Sequence, residues 1–323
     1  MPLQQVVITV TGRLLAIVLA VLALSACDPF GLPATRSLED GAAAMLGTGR
    51  TFELAGGYST DGKRWDIDLQ VGGPKARHVV VSANGEQLEA VTIGPDAYYR
   101  GEQFLAQQLS GNPLGASLAR AAGNAWWKST PGQAPALPDF TDGASFRSTF
   151  LGSAVTQRTD SGGTVELSGT RADVYIGSAP PYPLQRVVLK KGAAVDGISD
   201  AVLTYRNPGK DFHIVAPTDL IDFGNQSTLP PIYTVASVDT SRCASPCVVS
   251  ATVKNLGGTT AAKAPSTVTF TMADSAGHTL GSCQATVQPD VGYNSTTTVS
   301  CTISAQATNA AVVTAVADNP GRA

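Results

Sequence analysis

The sequence predicts an α+β fold in two parts, a helix-interrupted antiparallel meander followed by a small all-β sandwich, and three observations predict it. Apolar and polar residues alternate over many short segments. Two stretches break that alternation with helical spacing, and a polar, proline-ending segment after Phe223 is followed only by strand-like segments.

Residues 1–26 read as a signal peptide. After Arg13, the run from Leu14 to Leu24 is uncharged and about eleven residues long, which suits a signal h-region and is short for a bilayer span. It ends at Leu24-Ser25-Ala26-Cys27, which resembles the bacterial lipobox. The resemblance implies that a diacylglyceryl group alkylates Cys27, that residues 1–26 are removed, and that acyl chains of the palmitate kind anchor the new N-terminus. Two such chains, with each buried CH₂ contributing about 0.8 kcal/mol, hold a protein stably on a membrane. The expected place is the extracytoplasmic face of a bacterial cell membrane. The rival reading is an ordinary secretory signal, or an N-terminal membrane anchor, that happens to carry a cysteine.

Residues 27–36 contain Pro and Gly without periodicity, as a lipidated tether would. Ser37-Leu38-Glu39-Asp40 then places a hydroxyl ahead of carboxylates in a capping-box arrangement, and a short helix is expected up to Gly47. Trp65, Ile67, Leu69 and Val71 alternate with Asp66, Asp68 and Gln70, a strand with one dry face. The Asp61-Gly62 pair before it marks a tight turn, so Thr51 to Tyr58 is the expected antiparallel partner. Further strands are expected at Arg77 to Ala83, Gln87 to Ile93 and Ala97 to Arg100.

From Gln103 to Ala122 the spacing of Phe104, Leu105, Leu109, Leu114 and Leu118 is helical, interrupted at Gly111-Asn112-Pro113. A second helix is expected from Asp142 to Leu151, with Phe146 and Phe150 on one face. Strands resume over Thr164 to Ile176, Leu184 to Lys190, Ala201 to Tyr205 and Phe212 to Val215.

This order resembles the LolA-like fold, and more narrowly the mycobacterial-type lipoproteins of the LppX/LprG group. The residues that carry the likeness are Val91-Thr92-Ile93-Gly94, Ala97-Tyr98-Tyr99-Arg100, Trp127-Lys128, Pro183-Leu184 and the close into Ala216-Pro217-Thr218-Asp219. Over residues 37–223 the resemblance implies a curved half-barrel sheet with helices on its concave side. It also implies a lipid or glycolipid ligand held against that sheet. Apolar surface removed from water contributes about 25 cal/mol per Å², so such a pocket needs no catalytic group. The lining candidates are Trp65, Ile67, Leu69, Val71, Val91, Ile93, Phe104, Phe146 and Phe150; the same residues would equally serve as filled core.

Residues 224–233 form the expected linker, and residues 234–323 the second domain, whose short strands and frequent turns read as a β-sandwich. Its Val253-Lys254-Asn255-Leu256-Gly257-Gly258 is similar to the V-x-N-x-G signature of bacterial Ig-like and CARDB-type surface modules. Four of the five cysteines, Cys243, Cys247, Cys283 and Cys301, lie here and read as disulfides in an oxidising compartment. Cys283 and Cys301 stand nearly equidistant from Gly292, so a hairpin turning there would pair them and leave Cys243 with Cys247; two other connectivities stay open. Zinc would need paired C-x-x-C spacing or a histidine cluster, and His278 stands alone, so no metal is expected.

A net charge of -3 with 15% charged residues argues against nucleic acid. No G-x-S-x-G elbow, Walker loop, H-E-x-x-H or G-x-G-x-x-G after a strand occurs, and His78, His213 and His278 lack companions, so no enzyme and no cofactor are expected. The expected function is therefore a membrane-anchored lipoprotein that binds a lipid or other apolar ligand for envelope carriage or sensing. The alternative is a non-enzymatic envelope protein that binds a protein or polymer partner through its Ig-like domain. That extra domain favours the alternative, because the lipid carriers resembled here usually lack it.

Overall fold

The structure, a computed structural model, describes residues 32–305 and 311–322, so the expected leader and the lipidation site Cys27 lie outside the described residues. The fold class is the expected α+β one, with a large curved mixed sheet, few helices and two separate three-stranded antiparallel sheets. No helix of the described residues is long and apolar enough to cross a membrane. The chain forms two compact units: one runs up to Ala83 and takes in Gly132–Ile214, the other joins Asn84–Pro131 to Val215–Ala323.

In chain order, the first unit opens with helix α1 (Thr35–Met45) and strands β1 (Thr51–Thr60), β2 (Lys63–Gly72) and β3 (Ala76–Ala83). The second unit then contributes β4 (Glu86–Ile93), β5 (Asp96–Arg100), helices α2 (Glu102–Gln108) and α3 (Gly115–Ala122), and β6 (Trp126–Ser129). The chain returns to the first unit for α4 (Pro138–Thr141), α5 (Gly143–Phe150), β7 (Val155–Ser161), β8 (Thr164–Gly169) and β9 (Ala172–Gly177). There too lie β10 (Leu184–Leu189), the short β11 (Ala194–Val195) and β12 (Ile198–Arg206). The second unit ends with β13 (Leu220–Ile221), β14 (Tyr233–Asp239), β15 (Cys247–Asn255), β16 (Thr267–Ala273), β17 (Thr279–Thr286), β18 (Thr296–Ile303) and β19 (Val312–Asp318).

In the first unit the strands lie in the order β3-β2-β1-β12-β10-β9-β8-β7, and each neighbouring pair is antiparallel. The β1–β2 hairpin closes as expected at Asp61-Gly62, both at positive φ, with Thr60 opposite Lys63. A register shift between Gly57 and Ser59 bulges β1 against β12 and adds twist. One sheet face buries Phe52, Leu54, Leu69, Leu203 and Tyr205. Helices α4 and α5 fill the space over it: the Phe146 and Phe150 rings lie 5.1 Å apart, Phe140 and Phe150 5.2 Å, and Phe146 meets Tyr205 edge-on at 6.4 Å. Aromatic pairs at such spacings add about 0.5–1.5 kcal/mol each beyond their buried area. Asp142 caps α5 by accepting from Ser145 N at 2.9 Å, and that donation holds its carboxyl below the usual carboxylate range.

Two expectations are corrected by the structure, and one strand is added. Helix α1 starts at Thr35 behind Ala34, with no side-chain cap, so the capping box at Ser37 does not form. Arg158 decides the entry instead, donating to the Pro33 carbonyl oxygen at 2.8 Å and to Thr35 Oγ1 at 3.2 Å. Glu39 is then free to accept from Gly152 N at 3.0 Å. Phe212 to Val215 joins no ladder, because Ile214 N turns back on the Phe212 carbonyl oxygen at 2.7 Å while Phe212 buries its ring. Strand β7 was not expected at all: it is mostly exposed, and an edge strand wet on both faces shows no alternation.

In the second unit, β13-β6-β5-β4 lie side by side, with β13 parallel to β6. The sandwich consists of β14-β15-β18 facing β17-β16-β19 over Tyr233, Val249, Val253, Phe270, Met272 and Ile303. Cys243 pairs with Cys247 and Cys283 with Cys301. The hairpin reasoning behind the second pair does not hold, however: β17 pairs with β16 and β18 with β15, so the Cys283–Cys301 bond joins the two sheets, with Cα atoms 6.1 Å apart.

The V-x-N-x-G-G signature has a physical reason. Asn255 is fully buried; its Oδ1 accepts from Ile232 N at 3.0 Å and Gly257 N at 2.9 Å, and its Nδ2 donates to the carbonyl oxygens of Gly258 at 2.8 Å and Val291 at 2.6 Å. A Cβ at Gly257 would strike the Pro230 carbonyl oxygen, and one at Gly258 the Ser227 carbonyl oxygen. One amide thus ties three loops at the end of the sandwich.

Candidate functional site

In the second unit, β4 runs Leu88-Glu89-Ala90-Val91 with all four residues buried, so Glu89 is a carboxylate in an otherwise apolar row. Burying it alone would be costly, and the strand opposite supplies the counterion. Arg100 is the register partner of Glu89 on β5, and its Nε donates to Glu89 Oε2 at 2.6 Å. The guanidinium also lies on the Trp126 ring, 4.7 Å from its centroid. Two constraints, one in the plane and one on the face, set its direction.

Beyond Arg100 the chain turns into α2 through Gly101 at φ 149, where a Cβ would strike the Gln87 carbonyl oxygen. This close approach brings Glu102 and Gln103 beside Gln87, and Asn124 comes from the turn before β6. Together with Glu89, Arg100 and Gly85 they line an open polar cleft of about 470 Å³. Such a volume falls within the range of small-ligand sites, about 300–1,000 Å³. The side chains of Gln87, Glu102, Gln103 and Asn124 make no hydrogen bond to another described residue.

A second cleft of about 290 Å³ lies in the first unit and is more apolar. Ala44 and Met45 of α1 line it with Pro181, Pro183 and Pro208, and Arg50 stands at the same opening.

None of the nine candidate cavity residues lines either cleft. Ile67, Leu69, Val71, Phe146 and Phe150 are buried in the first unit and Val91 in the second, while Trp65, Ile93 and Phe104 are half-buried. Trp65 carries Lys63 over its ring at 4.5 Å. Among the described residues, no group of three or more His, Cys, Asp or Glu side chains is placed to hold a metal. His213 and His278 are exposed, and His278 Nδ1 lies 3.1 Å from Asp274 Oδ2. Sequence reasoning passed over Gln87, Glu89, Gln103 and Asn124, although a carboxylate inside the buried run Leu88–Val91 was a readable signal.

Fold and clefts define a two-unit α+β protein that carries a disulfide-bonded β-sandwich. No family model matches the chain, and no curated protein matches it. Among solved structures, that of MucB in complex with MucA(peri) aligns with 84% of this chain and 93% of that chain, at 10% identity and a TM-score of 0.27.

Proposed function

We propose that the protein is a lipid-anchored binding protein on the extracytoplasmic face of a bacterial membrane, and that it works by contact with an envelope partner rather than by chemistry. One observation carries the reading: Phe140, Phe146, Phe150 and Tyr205 occupy the space under the first unit's sheet, so its recognition surfaces are open ones. The lipobox at Cys27 and the two disulfides support the location, since disulfides persist outside the cytoplasm.

A second reading, carriage of a lipid or other apolar ligand, is supported by the cleft at Ala44, Met45 and the three prolines. Its volume of about 290 Å³ lies at the bottom of the small-ligand range, enough for one apolar group and not for two acyl chains.

The test uses the full-length protein and Cys27→Ser expressed in a bacterium that processes lipoproteins. The wild type is expected in the membrane fraction with a diacylglyceryl group on Cys27, and the purified protein is expected to sediment with isolated cell-wall material. Absence of a diacylglyceryl group from Cys27 of the wild type, or failure to sediment with any envelope fraction, would overturn the reading. A stoichiometric lipid in organic extracts would move the assignment to the carrier.

A further inference from the structure

We propose that the polar cleft between β4, β5 and α2 binds a neutral glycan, an inference that rests on the extracytoplasmic placement proposed above. The cleft holds two carboxylates, Glu89 and Glu102, against one guanidinium, Arg100, and this balance repels phosphate and carboxylate ligands. Nor is any group of three or more His, Cys, Asp or Glu side chains placed among the described residues to hold a cation. Calcium takes six to eight oxygen ligands, whereas Glu89 Oε2 is engaged by Arg100 and Glu102 is a single further carboxylate.

A peptide partner would look for apolar subsites to anchor its side chains. The lining has none: it consists of glycines, carboxamides, carboxylates and one arginine. Three carboxamides, Gln87, Gln103 and Asn124, each present a donor and an acceptor and engage no other described residue with their side chains. Glu102 adds an acceptor pair, and Arg100 spends Nε and Nη2 on Glu89, leaving Nη1. Closely spaced donor–acceptor pairs without net positive charge match the adjacent hydroxyls of a sugar ring. The Glu89–Arg100–Trp126 stack supplies the rigid element, because a fork already held in direction loses less freedom when a ligand meets it.

The experiment is saturation-transfer NMR on full-length protein in a detergent without a sugar headgroup. The probes are chitotriose, cellotriose, maltotriose, mannotriose and a neutral polysaccharide hydrolysate from the source bacterium's own envelope. At least one probe is expected to receive saturation and to titrate with sub-millimolar Kd. Removing two carboxamides in Gln103→Ala/Asn124→Ala is expected to weaken that Kd by about five- to a hundredfold, as the loss of two neutral hydrogen bonds would. Both positions are exposed, so the variant is expected to keep the wild-type circular dichroism and melting curve. Arg100→Lys, which loses the planar fork, is expected to weaken binding as well.

Saturation of none of the probes overturns the proposal, as does a Kd that the double variant leaves unchanged. Competition for the cleft by an unstructured peptide, with no effect of any glycan, overturns it in favour of a protein ligand. A protein that stays on the membrane through Cys27 and sediments with cell wall, yet ignores every glycan, fails here and leaves the broader reading standing.

Discussion

The Tyr205 hydroxyl donates to the Phe140 carbonyl oxygen across 2.8 Å, joining strand β12 to helix α4 where both residues are buried. Phe140 in turn packs against Phe150 with the rings tilted, and Phe146 meets the Tyr205 ring edge-on, so this bond orients the aromatic cluster as well as satisfying two polar groups. Tyr205→Phe keeps the ring and strands the carbonyl. The expected cost is about 1–3 kcal/mol, read as a lower urea midpoint with an unchanged slope. An unchanged midpoint would mean that water replaces the hydroxyl.

Alkali is expected to unfold the protein through its buried phenols. Burial pushes Tyr58 and Tyr233 up to about 12, and Tyr205 well above the ordinary phenol value. A phenol whose pKa is raised by folding is held neutral, so its contribution is fully present below about pH 10, the unfolded value. It is then lost as the pH rises through the folded value near 12. Phenolate absorbance and near-ultraviolet circular dichroism, followed together, should show these tyrosines ionising with loss of tertiary signal. Ionisation of every tyrosine at about 10 with the fold intact would contradict this.

Asn255→Ala removes four hydrogen bonds at once and leaves Ile232 N, Gly257 N and the carbonyls of Gly258 and Val291 without their partner. The expected loss is above about 3 kcal/mol, at the severe end for a point substitution. The measurement is chemical denaturation of the full chain, with near-ultraviolet signal from the sandwich. A loss under about 1 kcal/mol would show that the loops hold themselves together.

The two disulfides are expected to differ in weight. Cys283–Cys301 closes a separation of 18 residues and should contribute about 3 kcal/mol in the chain-entropy account, whereas Cys243–Cys247, with a separation of 4, should contribute about 2 kcal/mol. Paired alanine variants compared by thermal melting test the ranking. A larger drop for Cys243→Ala/Cys247→Ala would point to a role at the start of β15 beyond loop closure.

Legibility in the sequence followed how far each signal was local. The Asp61-Gly62 turn, the breaks between α2 and α3, and the helix carrying Phe146 and Phe150 were all readable, because each depends on neighbours a few residues away. Strand β7 was not readable, since Val155–Ser161 is polar on both faces, and neither was the loss of Phe212 to Val215 as a strand, which follows from a local turn and a buried ring. At the polar cleft, Glu89 stood out in its apolar run, but nothing nearby marked Asn124 or Gln103 as its companions.

Adjacent residues alone carried the α+β class and most strand positions, because alternation and turn dipeptides are local properties, whereas for the four sandwich cysteines they favoured one pairing and left two other connectivities open. Only the tertiary structure decided that Cys283 and Cys301 join opposite sheets, that Arg158 sets the start of α1, and that Phe146 and Phe150 are core. Those outcomes depend on which distant surfaces exclude water from one another, and the same letters along a chain are compatible with a hollow and with a filled interior.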